Sequence, residues 1–251
     1  MKGEKMNRKK KWIAAGAVLI VLLLAILVLF ALARNGTILL NNPSRSQYPV
    51  RGVDVSRYQG HIDWNILASN DICFAFIKAT EGSTHVDPCF QYNYEESRKT
   101  SLRIGVYHFF SYDSEGQTQA DNYIAVVEKT DDMLPPVIDL EFYGDKEQNP
   151  PSRDQVRKEL AIMLDQLEEH YGMRPIIYAT EKSYALYLAD AFQEYDIWIR
   201  NVVTAPHLSD HRQWTFWQYT DREKLEGYQG DEKYIDMNVF NGNMEDFLEY
   251  Q

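Results

Sequence analysis

Between residues 51 and 240 the chain is punctuated by short runs dominated by apolar, β-branched and aromatic residues: RGVDV (51–55), ICFAFIKA (72–79), RIGVYHFF (103–110), PVIDLEF (136–142), PIIYAT (175–180), YDIWIR (195–200), WTFWQYT (214–220) and YIDMNVF (234–240). Near-continuous apolar strands are what a parallel sheet covered on both faces requires. Helical patterns separate several of them. Asp87-Pro88 offers a cap followed by proline at the first helical position. Ser152 and Gln155 have capping-box spacing, Val156, Leu160, Leu164 and Leu167 form an apolar stripe, and Gly172 ends that helix. Eight strands, several of them separated by helices, predict an α/β fold, an irregular (β/α) TIM-like barrel over residues 50–251. The irregularity is expected because the later connections are short.

Upstream the pattern changes. Ile13–Ala33 reads IAAGAVLIVLLLAILVLFALA, with no polar face. Its length matches the ~20 residues needed to cross a bilayer as a helix. Residues 1–12 are a basic segment, which biases that flank to the cytoplasm. The chain therefore reads as a transmembrane signal-anchor at 13–34, a linker rich in Asn, Ser and Pro at 35–49, and an extracytoplasmic barrel. The alternative is secretion after cleavage near Ala33, because Ala31-Leu32-Ala33 is a small-x-small site. The apolar run exceeds the roughly 7–15 residues of a signal h-region, which favours the anchor.

Charge divides at the same boundary. The chain carries a net −11, and residues 1–34 hold seven basic residues and one Glu, so the rest carries −17. Nucleic-acid binding needs a basic face and is excluded as a partner; sugars or peptides suit the domain better. Cys73 and Cys89 are the only cysteines. An external compartment permits a disulfide, but Cys73 falls in a strand pattern and Cys89 in an early helical turn, which favours buried thiols. Neither has a metal-ligand spacing to a His, so no metal or cofactor is expected, and no obligate protein partner is evident.

Two carboxylates interrupt the apolar run LPPVIDLEFYG: Asp139 and Glu141. Residues i and i+2 of a strand face the same way, about 6.6 Å apart at ~3.3 Å rise. At the C-terminal end of a barrel strand both open into a site. Like charge and desolvation raise at least one pKa, so one group holds a proton near neutrality while its neighbour stays ionised. Glycoside cleavage needs that division: an acid protonates the leaving oxygen and a carboxylate stabilises the cation at the anomeric carbon. Asp54 and Asp236 interrupt two further strands. Each alone suits a turn; together they converge if the barrel closes. Tyr107, Tyr178, Trp198, Trp217 and Tyr219 share these strands. Aromatic planes suit sugar C–H faces, although for any single one core packing is the better expectation.

The ordered set RGVDVSRYQGHIDW (51–64), FIKATEG (76–82), VDPCFQYN (86–93), IGVYHFF (104–110), LPPVIDLEFYG, WQYT (217–220) and YIDMNVF resembles the glycoside hydrolase family 25 lysozymes, N-acetylmuramidases of the Chalaropsis type. The resemblance runs from about Arg51 to Phe240. It implies cleavage of the β-1,4 bond between N-acetylmuramic acid and N-acetylglucosamine in peptidoglycan. It implies Glu141 as general acid, Asp139 as its partner carboxylate at the acetamido group, and Asp54 and Asp236 as further acids. Tyr107, Trp217, Gln59 and Tyr178 are the implied substrate-binding positions. Both an oxazoline formed by the substrate and an enzyme nucleophile are compatible with this set. The sequence departs from the family pattern at Tyr58, where Trp is common, and at Arg200-Asn201, where a small residue followed by a nearby aromatic is usual. Peptidoglycan strands and, through the N-terminal helix, the membrane are the expected partners. A chitin-type hydrolase and a non-catalytic wall-binding barrel are the competing readings, and the full motif series with all four acids argues against both.

Overall fold

The structure, a computed structural model, describes residues 8–251; the first seven residues of the basic segment expected at 1–12 lie outside the described residues. The chain forms two compact units, one ending at Leu40 and one spanning Asn41–Gln251. The first contains helix α1, Arg8–Arg34, whose apolar run is exposed over most of its length. A helix of that length rises about 40 Å at ~1.5 Å per residue, more than the ~30 Å of bilayer hydrocarbon.

The second unit is a barrel. Its strands are β1 (Arg51–Val55), β2 (Phe74–Glu81), β3 (His85–Val86), β4 (Arg103–Phe109), β5 (Val137–Leu140), β6 (Ile176–Thr180), β7 (Asp196–Arg200), β8 (Phe216–Glu223) and β9 (Ile235–Phe240). The order is β1-β9-β8-β7-β6-β5-β4-β2, closed by β1 on β2, with β3 a short hairpin arm on β2. β1, β2 and β4 through β8 run parallel, and β9 runs antiparallel to both its neighbours. Eight strands thus close an irregular TIM-like barrel, each at the place its apolar run predicts. The antiparallel β9 turns the start of that strand, with Asp236, toward the end of the barrel where the parallel strands finish.

Helices α2 (Trp64–Ala68), α3 (Phe90–Ser97), α4 (Gly116–Val126), α5 (Arg153–Tyr171), α6 (Glu181–Ser183) and α7 (Met244–Glu249) complete the unit. Val156, Leu160, Leu164 and Leu167 of α5 are buried as their spacing predicts, and Gly172 closes the helix in the left-handed region at φ 66°. The capping box does not form. The main-chain carbonyl of Ser152 accepts from Val156 N at 3.0 Å, while its hydroxyl makes no cap. Asp87 caps a turn rather than the helix: its carboxylate accepts from Cys89 N and Arg57 N, both at 2.9 Å, and α3 begins at Phe90. Both cysteines are free thiols.

Alternation along each strand sends one set of side chains into the barrel. Phe74, Phe76, Val137, Ile176, Tyr178, Trp198, Phe216 and Phe240 fill it. Phe76 stacks on Trp198 with ring centroids 4.5 Å apart, and Phe74 packs edge-on to Phe216 at 5.3 Å. Gly105 of β4 makes room for this plug: a Cβ there would lie 2.3 Å from Phe76 Cδ1. The interior is therefore filled by side chains beneath its mouth.

Candidate active site

The inward parity that places Val137 in the plug also directs Asp139, and Glu141 just past the strand end, toward the mouth. Asp139 pairs in register with Phe109 of β4 and Tyr178 of β6. It is 7% exposed, and its Oδ1 has no protein hydrogen-bond partner. Glu141 is half-buried one layer higher. Across the barrel, Asp54 of β1 stands opposite Asp236 of β9 in the antiparallel register. Asp54 Oδ2 accepts from Asn238 Nδ2 at 2.8 Å and from Gln218 Nε2 at 2.9 Å; the same Gln218 amide reaches Asp236 Oδ2 at 3.3 Å. All four expected acids occupy one mouth.

Their environments separate their protonation. Burial pushes Asp139 well above the usual carboxylate range, and the charge of Glu141 adds to the rise. Burial also raises Glu141, but Arg200 opposes that rise, while Lys78 draws both groups down. Both carboxyls are thus pushed up together, Asp139 the further because it is buried with its Oδ1 unpartnered. In the second pair burial again raises both groups. Amide donors from Asn238 and Gln218 hold Asp54 back, while repulsion from Asp54 drives Asp236 well up, so Asp236 carries the proton and Asp54 the charge.

The remaining expected residues divide. Tyr107 and Gln59 line a cleft of about 220 Å³ together with Asp54, Tyr58, Asp221 and Asp236. Gln59 is buried and structurally engaged: its Oε1 accepts from Ser56 N at 3.0 Å and its Nε2 donates to Tyr234 O at 3.2 Å. Tyr178 faces inward, buried beside Asp139 in register, and its hydroxyl donates to Gln218 Oε1 at 3.0 Å. Trp217 does not line the groove. Phe216 and Gln218 take the inward parity of β8, so Trp217 points outward, 2% exposed, packed on Tyr48 and Trp214 with its indole N–H donating to Asn201 O at 2.8 Å. Tyr219 follows it outward and accepts from Arg51.

Gln218 and Asn238 are the functional residues the motif reading passed over. Both are buried amides within strands, and a buried amide must find partners, which is the signal that singles them out. Arg200, inward above Trp198, donates to Asp221 Oδ2 at 2.8 Å. Among the described residues no group of three or more His, Cys, Asp or Glu side chains is arranged to hold a metal ion. Converging acids of unequal protonation above an apolar floor are equipped for acid-assisted bond cleavage.

The model of the family described as "Glycosyl hydrolases family 25" matches residues 53–228. The chain belongs to glycosyl hydrolase family 25. It is a glycoside hydrolase of the lysozyme type. A family 25 glycosyl hydrolase from Bacillus anthracis has the same barrel, with 55% identity and a TM-score of 0.80 over 84% of this chain and 97% of that one. A bacterial lysozyme from Streptomyces coelicolor matches at 28% identity and a TM-score of 0.70, over 79% and 95% of the two chains. By sequence, Lysozyme M1 of Streptomyces globisporus is 30% identical over 77% of this chain and 68% of its own length. The uncharacterized protein YegX of Escherichia coli K12 is 37% identical over 80% and 73%. The two solved structures share the barrel unit.

Proposed function

We propose that this family 25 domain hydrolyses the β-1,4 bond between N-acetylmuramic acid and N-acetylglucosamine in peptidoglycan, with Glu141 as proton donor. The observation that carries the assignment is the pairing of Asp139 and Glu141 on one face of β5, with Asp139 Oδ1 buried and without a partner. An acetamido N–H of the substrate is a donor of the right kind for that oxygen. A hydrogen bond to a carboxylate favours its charged form, so sugar binding ionises Asp139 and moves the shared proton to Glu141. Glu141 then protonates the leaving oxygen as the bond breaks, while Asp139 and Asp54 stabilise the developing cation; water adds its oxygen to the anomeric carbon and gives a proton back to Glu141. Asp236 holds Asp54 in place across the strand pair, and Tyr107 lines the groove.

The test is Glu141→Gln. It should lower kcat by roughly 10²–10⁴-fold with glycan binding retained. Wall lysis at the wild-type rate would remove Glu141 from the mechanism.

The N-terminal apolar helix favours an extracytoplasmic enzyme held at the outer face of its membrane. Arg8, Lys9, Lys10 and Lys11 precede the apolar run, and Lys and Arg on one flank keep that flank in the cytoplasm. The N-terminal sequence of the mature protein in the membrane fraction decides: an intact Ile13–Ala33 segment is expected, and a chain beginning after Ala33 would establish secretion instead.

A further inference from the structure

A second cleft, of about 310 Å³, opens beside the acids; Phe142, Thr180, Lys182, Arg200, Asn201 and Val203 are among its walls. Phe142 directly follows Glu141, and Arg200 pairs in register with Thr180 on one side and Gln218 on the other. The cleft therefore adjoins the carboxylates without containing them. Its own carboxylates, Glu147 and Glu181, are engaged: Glu147 pairs with Lys182, and Glu181 Oε1 accepts from Asn201 Nδ2 at 3.0 Å and from His207 N at 2.8 Å.

Arg200 is the cation of this cleft that faces the mouth. Asp221 accepts from Arg200 at 2.8 Å and also pairs with Arg222 at 3.3 Å, so the trio keeps one positive charge. A guanidinium carries five N–H donors in a planar fork suited to a carboxylate, and among the described residues Asp221 takes the single side-chain hydrogen bond that Arg200 makes. The side chain remains 33% exposed. Phe142 and the 58%-exposed Val203 add apolar surface. A cation with spare donors beside apolar walls, in a domain of strongly negative charge, suits a carboxylate on a short apolar stem.

We propose that Arg200 is a specificity residue and that this cleft takes a carboxylate carried by the muramic acid at the scissile bond. The inference rests on the muramidase reading above. The carboxylate has two sources: the 3-O-lactyl group where no peptide is attached, or the stem peptide where one is. In either case Arg200 pairs with the carboxylate while Phe142 and Val203 cover the adjoining methyl group.

The experiment compares two glycan pairs cleaved by the full-length protein: peptide-free strands with free or methylamidated lactyl carboxylates, and peptide-bearing strands with free or amidated peptide carboxylates. The wild type should show a KM roughly 10–100-fold lower for the free form of one pair, the scale of a charge-assisted hydrogen bond. Which pair shows it identifies the source. Arg200→Ala should abolish that preference and Arg200→Lys should retain part of it. A wild type indifferent to amidation in both pairs overturns the proposal even if the variants fail to fold. So does a preference that survives in Arg200→Ala, or a loss in kcat alone with a displaced acid limb, which would make Arg200 merely an electrostatic neighbour of Glu141. Absence of reducing-end muramic acid from every substrate would instead sink the muramidase reading and this inference with it.

Discussion

Replacing Asp139 with Asn removes a carboxyl whose ionisation the fold opposes. Asp139 is 7% exposed, its Oδ1 has no protein partner, and Glu141 lies two residues along the same face. A buried polar group left unsatisfied costs ~1–3 kcal/mol, and more when charged. The Asn variant keeps the shape and has no ionisable proton. It should be more stable than the wild type by about 1–3 kcal/mol at pH 8. In a domain of about 200 residues that raises Tm by about 2–10 °C. The pH dependence follows from the direction of the shift. A carboxyl raised in the folded state binds its proton more tightly there than in the unfolded chain, whose ordinary value is 3.8. The wild type therefore loses stability as pH rises from that value through the folded pKa, and loses nothing below it. Thermal melts of the full-length protein in mild detergent, followed by tryptophan near-ultraviolet dichroism, should show the gain largest at pH 8 and nearly gone at about pH 4. Turnover should fall in the same variant. An Asn variant of equal or lower stability at pH 8, or a gain independent of pH, would refute the buried-charge reasoning.

Further outcomes follow from individual contacts. Trp217→Phe should lose ~1 kcal/mol of stability with its indole bond to Asn201 and leave KM for the glycan unchanged, whereas a raised KM in a well-folded variant would return Trp217 to the groove. Gln218→Leu should raise the pKa of Asp54 by removing one of its two amide donors, moving the acid limb of the pH–rate profile upward; an unmoved limb would separate Asp54 from catalysis. Gly105→Ala should destabilise by ~1–3 kcal/mol through overpacking against Phe76, read by denaturant titration, and a neutral result would show that the plug can yield.

Strand positions were legible because each apolar run is bounded by turn residues, and the pairing of Asp139 with Glu141 follows from a period of two alone. Direction and facing were less so. Nothing local marks β9 as antiparallel, yet that reversal brings Asp236 to the mouth. In β8, Phe216, Trp217 and Tyr219 place aromatics on both faces, so apolarity cannot tell inside from outside; Trp217 consequently looked like a groove residue. The unequal rise within the β5 pair was also hidden, because burial and the charge of Arg200 set it and both depend on closure of the barrel. At Ser152, spacing indicated a capping box, yet its hydroxyl makes no cap.

The central claim is the bond cleaved and the group that cleaves it. Mass spectrometry of borohydride-reduced muropeptides, released from purified peptidoglycan by the full-length protein, tests it most directly. The account predicts fragments ending in reduced N-acetylmuramic acid, absent when Glu141→Gln replaces the wild type. Fragments ending in reduced N-acetylglucosamine, or the same muramic-acid ends produced equally by Glu141→Gln, would contradict it.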